Sequence, residues 1–181
     1  MAEGLQDLIV NALYKDSLGY IWIGTASSLE RFDGVHLKSF PIPEEGKRKD
    51  VNTIIEMPGH ELWMGNRTGL WKVNGEKLLR VAADTIRSGV YSLCSDGKGT
   101  LYIGSESGLF IYNSKGVERI LLDPNVLSGA NFIMGMALDD RDILWVITRK
   151  GLYSVVLSGK SILFHPCLMN GQVYEDGYNN I

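Results

Sequence analysis

The chain has 181 residues, 45% of them hydrophobic and 22% charged, with a formal net charge of −3. That much apolar content with so little net charge excludes an intrinsically disordered chain and supports a packed core. The acidic balance also lacks the clustered Lys and Arg surplus that displaces counterions from phosphates, which excludes DNA and RNA as partners. No apolar run approaches the roughly 18 residues that span a bilayer, and the start Met1-Ala2-Glu3-Gly4 has no basic and apolar leader, so a secretory signal is either removed or was never present. Cys94 and Cys167 stand 73 residues apart without a metal-binding spacing, so the sequence implies neither a disulfide framework nor a zinc site. Glycine supplies 21 of the 181 residues, above its usual share of about 7%, and implies much turning.

Four segments of the chain align without a gap: VNALYKDSLGYIWIGTASSLERF from Val10, VNTIIEMPGHELWMGNRTGLWKV from Val51, VYSLCSDGKGTLYIGSESGLFIY from Val90 and IMGMALDDRDILWVITRKGLYSV from Ile133. In each, a bulky aromatic stands 12 residues after the first (Trp22, Trp63, Tyr102, Trp145) and a leucine stands 7 beyond it (Leu29, Leu70, Leu109, Leu152). The aromatics are 41, 39 and 43 residues apart, so all length variation falls in the links between units.

Within the first unit, β-branched and aromatic runs predict strands over Val10 to Tyr14, Tyr20 to Gly24, Leu29 to Phe32 and Val35 to Phe40. Asp33-Gly34, and Asn74-Gly75 in the second unit, are hairpin signals between strands three and four. The turn between strands two and three ends in Gly-Leu at Gly69, Gly108 and Gly151, where glycine suits a left-handed position. Ser28 fills that place in the first unit and is expected to carry strain. The fourth unit departs further, with Asp139-Asp140-Arg141-Asp142 lacking glycine and Val146-Ile147 standing where the others have an apolar residue and glycine.

A period near 40 residues with four antiparallel strands per unit predicts all-β architecture, as β-propeller blades over approximately 8–40, 51–81, 90–121 and 133–165. The strand-two aromatics and strand-three leucines should then fill the space between neighbouring blades rather than form a carbohydrate-stacking platform. Tyr178-Asn179-Asn180-Ile181 reads as the start of a further inner strand, which predicts a partial propeller. Its exposed end faces would be covered by further blades or by a second copy in a homodimer.

The run Val10-Asn11-Ala12-Leu13-Tyr14-Lys15-Asp16-Ser17-Leu18-Gly19-Tyr20-Ile21-Trp22-Ile23-Gly24-Thr25, followed by Leu29-Glu30-Arg31-Phe32-Asp33-Gly34, resembles the two-component regulator propeller repeat. The resemblance covers essentially the whole chain and is closest in the first unit. It implies the periplasmic sensor region of a hybrid two-component histidine kinase, whose remaining blades and kinase lie elsewhere in the receptor. It further implies sensing, often of oligosaccharides, in place of catalysis. The repeat is a scaffold motif and carries no ligand residues across.

Propeller connectivity puts the strand-two to strand-three turns and the links between blades on one face. Binding residues are expected there, on loops held by a rigid frame. Asn66, Arg67, Glu106, Arg149 and Lys150 are the candidates. Arg67 and Arg149 occupy equivalent turns two blades apart and could grip a carboxylate or sulfate. The alternative is that they are solvated arginines, with Glu106 as a possible partner. No metal site or cofactor is indicated: His36, His60 and His165 share no ligand spacing, and the Asp139 to Asp142 cluster lacks the glycine and glutamate of a calcium loop. Glycan cleavage would need two carboxylates about 5 to 10 Å apart, and the repeats place no acidic pair at the channel mouth except through isolated residues such as Glu106. A non-catalytic sensor module is thus the first expectation, and a structural or protein-interaction propeller the alternative.

Overall fold

The structure is a computed structural model that describes residues 4, 5, 7–43, 49–157 and 161–165. The expected inner strand at 178–181, Cys167, and Gly46, Lys47 and Arg48 of the basic loop lie outside the described residues.

Four antiparallel sheets of four strands each follow one another along the chain. The first holds β1 (Val10–Lys15), β2 (Ile21–Thr25), β3 (Leu29–Phe32) and β4 (Leu37–Phe40), and the second β5 (Val51–Met57), β6 (Glu61–Asn66), β7 (Gly69–Asn74) and β8 (Lys77–Val81). The third holds β9 (Val90–Ser95), β10 (Leu101–Ser105), β11 (Gly108–Asn113) and β12 (Gly116–Ile120). The fourth holds β13 (Ile133–Leu138), β14 (Ile143–Thr148), β15 (Leu152–Val156) and β16 (Ser161–His165), preceded by one 3-10 turn at Gly129–Asn131. Strands pair in sequence order within each sheet, and the first strands β1, β5, β9 and β13 pack side by side in that order. These are the blades of a β-propeller, with the first strand of each at the axis.

The core lies in the seams between blades. Trp22, Leu29 and Phe40 of the first blade pack with Val51, Ile54, Met64 and Trp71 of the second. Trp63 and Leu70 do the same against Val90, Ile103 and Phe110, and Tyr102 and Leu109 against Ile133, Leu144, Val146 and Tyr153. Trp145 is only half-buried, because no described sheet covers its face; the His165 ring lies 5.0 Å from it. Each seam closes by the same interlock. A Cβ on Gly24, Gly65 or Gly104 would lie 2.6, 2.4 and 2.5 Å from Val51, Val90 and Ile133 respectively, so the missing side chain admits the next blade's first strand.

Two turn expectations change. Ser28 is not among the residues with positive φ, whereas Gly69, Gly108 and Gly151 have φ of 138°, 134° and 149°. The first turn still closes, with the Thr25 N–H donating to the Ser28 carbonyl and Thr25 Oγ1 accepting the Ser28 N–H, each at 2.9 Å, so the expected strain is absent. In the Asp33-Gly34 hairpin, Val35 and His36 join the turn rather than the outer strand, because Asp33 Oδ1 accepts both their N–H groups, at 2.8 and 2.7 Å.

An aspartate after the first strand organises three of the four inner hairpins. Asp16 accepts from the Leu18 and Tyr20 N–H groups and from the Trp22 indole at 3.1, 2.8 and 2.7 Å. Asp139 repeats this with Arg141, Ile143 and Trp145, and Asp96 with Lys98 and Thr100. Donation from the Ile143 N–H chiefly holds the Asp139 carboxyl down to about 2. A carboxyl depressed in the folded state contributes stability above its unfolded value near 3.8, and that contribution is lost as pH falls toward 2. Urea midpoints measured between pH 5 and 2 should therefore fall more steeply for the wild type than for Asp139→Asn; equal slopes would refute this assignment.

Candidate functional site

The axis strands share a defect that positions the site. Each carries a one-residue register shift near its start, between Val10 and Ala12, between Val51 and Thr53, opposite Gly104 and Ser105, and between Ile133 and Gly135. The skipped residues are Asn11, Asn52, Tyr91 and Met134, the second residue of every repeat. A bulge bends its strand and re-aims the side chain of the extra residue. Here all four line one open cleft of about 540 Å³, together with Val10, Asp50 and Arg67. The Asn52 amide donates to the Val90 carbonyl at 2.9 Å, tying the second bulge to the third axis strand.

The expected binding face is the one that carries this cleft. In three of the four blades the turn after the second strand is sewn to the residue before the first strand: Ala26 N–H donates to Ile9, Glu106 to Gly89 and Arg149 to Phe132 through their carbonyls. Arg67 lines the cleft, its Nε 3.3 Å from Asp50 Oδ2. Glu106 Oε1 accepts the Tyr91 hydroxyl at 2.6 Å. Burial first, and then this bond to a carboxylate, raise the Tyr91 pKa, while the charges of Arg67 and Arg149 oppose the rise. Tyr91 therefore stays a neutral phenol whose proton is committed to Glu106. Arg149 Cζ sits over the Phe132 ring, 3.6 Å from its centroid, and Phe132 in turn packs tilted against Tyr91 with centroids 5.3 Å apart.

Arg67, Glu106 and Arg149 thus gather around Tyr91, but the arginines do not present a shared fork. Each is held by its own neighbour, Asp50 or Phe132. Asn66 is fully buried and belongs to the scaffold: its Oδ1 accepts from Thr68, Gly69 and the Trp71 indole at 2.8, 3.0 and 3.0 Å. Lys150 points away toward Asp123, at 3.7 Å. Sequence reasoning missed Asn11, Asn52, Tyr91, Phe132 and Asp50. The available signal was the second repeat position, which reads Asn, Asn, Tyr and Met beside a constant Val or Ile.

The histidines fall elsewhere. His36 sits in the outer turn of the first blade, and His165 ends β16 with Nε2 2.8 Å from Ser154 Oγ. On the face opposite the cleft, His60 Nδ1 lies 2.8 Å from Ser17 Oγ and 3.1 Å from Glu56 Oε1. One ring nitrogen meets both partners, whereas proton relay needs one nitrogen for the serine and the other for the acid. This cluster is a clasp between the first two blades. Among the described residues no group of three His, Cys, Asp or Glu side chains could hold a metal ion, and no helix is long and apolar enough to cross a membrane.

Residues 4–27 match the family model described as Two component regulator propeller. None of the curated proteins matches the chain. Among solved structures, the chain is similar to the extracellular domain assigned to a hybrid two component system of B. thetaiotaomicron, at TM-score 0.72 and 17% identity over 86% of this chain and 24% of that one. It is also similar to virginiamycin B lyase from Staphylococcus aureus, at TM-score 0.67 and 14% identity over 87% of this chain and 55% of the enzyme. The WD40 β-propeller domain of Doa1 aligns at TM-score 0.66 and 11% identity, over 84% of this chain and 51% of that domain. The chain spans about a quarter of the length of the sensor domain and about half of the lyase. These likenesses agree on a β-propeller, and the family match places the two component regulator propeller repeat in its first blade.

Proposed function

We propose that this chain is the ligand-binding part of a non-catalytic, periplasmic sensor in a hybrid two-component receptor, binding an oligosaccharide and regulating a histidine kinase elsewhere in that receptor. The observation that carries this reading is the ring of four bulges, which aims Asn11, Asn52, Tyr91 and Met134 into one polar cleft at the axis. Amide and phenol groups beside an apolar thioether suit a ligand with many hydroxyls and an apolar ring face. The family repeat in the first blade and the structural likeness to an extracellular two-component domain support the sensor class. His36, His60 and His165 all lie away from the cleft. The lyase with the similar fold has a histidine-to-alanine variant described as catalytically inactive.

Calorimetric titration with a panel of oligosaccharides, run beside an assay for their cleavage, tests the reading. Binding without turnover is expected. Asn11→Ala, whose side chain is exposed at the cleft, should weaken it about 10-fold, the order of one lost hydrogen bond. Turnover would establish an enzyme, and silence across the panel would favour an interaction scaffold.

A further inference from the structure

We infer that Asp50 is a specificity-determining residue that restricts the axis cleft to neutral, hydroxyl-donating sugars and rejects uronic acids and sulfated sugars. The inference rests on the oligosaccharide reading and adds the charge class. Arg67 is the one cation among the described residues lining the cleft, and the Asp50 carboxylate lies against it, 3.3 Å from Nε. An anionic group entering here meets a guanidinium whose charge is already matched and a carboxylate that repels it. Rejection of the wrong partner by a fixed like charge is a common route to selectivity.

Hydrogen-bonding capacity points the same way. Asp50 Oδ2 is buried and, apart from the ion pair, accepts no hydrogen bond from the described residues. The Asn52 amide gives one of its two N–H donors to the Val90 carbonyl. The Tyr91 hydroxyl donates its hydrogen bond to Glu106, so toward the cleft its oxygen accepts. Asp50 and Tyr91 thus present acceptors to the cleft, beside the donors of Asn11 and Arg67. A sugar hydroxyl supplies donors, whereas an ionised carboxylate or sulfate brings acceptors alone.

The test compares wild type, Asp50→Asn and Asp50→Ala on an array of neutral, uronic and sulfated oligosaccharides, with inorganic sulfate titrated separately by NMR. Wild type should bind neutral sugars at least 10-fold more tightly than acidic ones and leave sulfate unbound. Asp50→Asn keeps a similar volume and frees Arg67, so it should shift the preference toward acidic sugars by about 10-fold and bind sulfate with shifts centred on Arg67. Wild-type preference for acidic sugars, or an unchanged preference and no sulfate binding in both variants, overturns the role of Asp50 and leaves the sensor reading standing. Absence of any sugar binding by the wild type removes both together. Unchanged melting temperatures in the variants would show that the scaffold is intact.

Discussion

Gly65→Val should destabilise this chain by about 3 kcal/mol or more and lower its urea midpoint sharply. A Cβ at position 65 would lie 2.4 Å from Val90 Cγ1, 2.8 Å from Thr53 Cγ2 and 2.9 Å from Val90 Cβ. These are short, branched side chains on two axis strands, and neither can rotate away without moving backbone. Overpacking a core typically costs about 1–3 kcal/mol, and a collision that separates two sheets belongs at or above the top of that range. Set against the roughly 5–15 kcal/mol of a typical domain, the second and third blades should lose their shared seam. Urea denaturation followed by circular dichroism would read the change in midpoint and slope. Val90→Ala in the same chain should restore part of the loss, because it opens the space the new side chain enters. Gly135→Ala serves as control, since its Cβ would meet nothing nearer than Ile147 Cδ1 at 4.0 Å. A near-wild-type midpoint for Gly65→Val would disprove the interlock.

Asp16→Ala should cost about 3 kcal/mol, because three donors lose their acceptor at once and the Trp22 indole N–H is left buried. The second blade shows the scaffold without this group: Met57 stands in the equivalent place, and the buried Trp63 indole nitrogen has no hydrogen-bond partner among the described residues. A paired comparison separates the hydrogen bond from packing. Trp22→Phe and Trp63→Phe remove similar volume from similar seams, but only the first also orphans a buried carboxylate oxygen. Trp22→Phe should therefore be the more destabilising by about 1–2 kcal/mol in thermal or urea unfolding. Equal costs would assign the aspartate no structural weight.

The fold was legible because its determinants recur: the aromatic and the leucine hold one register through four units and the seam glycine through three, and in the three described seams each has a fixed neighbour in the adjoining blade. The seam glycines could be located in the sequence, yet their reason is a contact about 25 residues further on, visible only once blades are stacked. The site was legible in part. Turn connectivity follows from strand order, so the face that gathers Arg67, Glu106 and Arg149 could be named from the sequence. Asn66 misled because an amide in a turn looks the same whether it faces solvent or, as here, takes the Trp71 indole N–H. The four cleft residues were missed because a bulge has no composition of its own. It is a mismatch between two strands, and a repeat aligned without gaps conceals it.

The fourth blade reverses the sign of the joint. At the position of Gly24, Gly65 and Gly104 it bears Ile147, a projecting side chain 54% exposed, where its predecessors offer a recess. Val10, at the leading edge of the first blade, projects in the same manner as Val51. Tongue would therefore meet tongue if two copies closed into a ring with this geometry. Any strand seated against β14 in the same register must bring a residue smaller than valine to that spot or stand farther off.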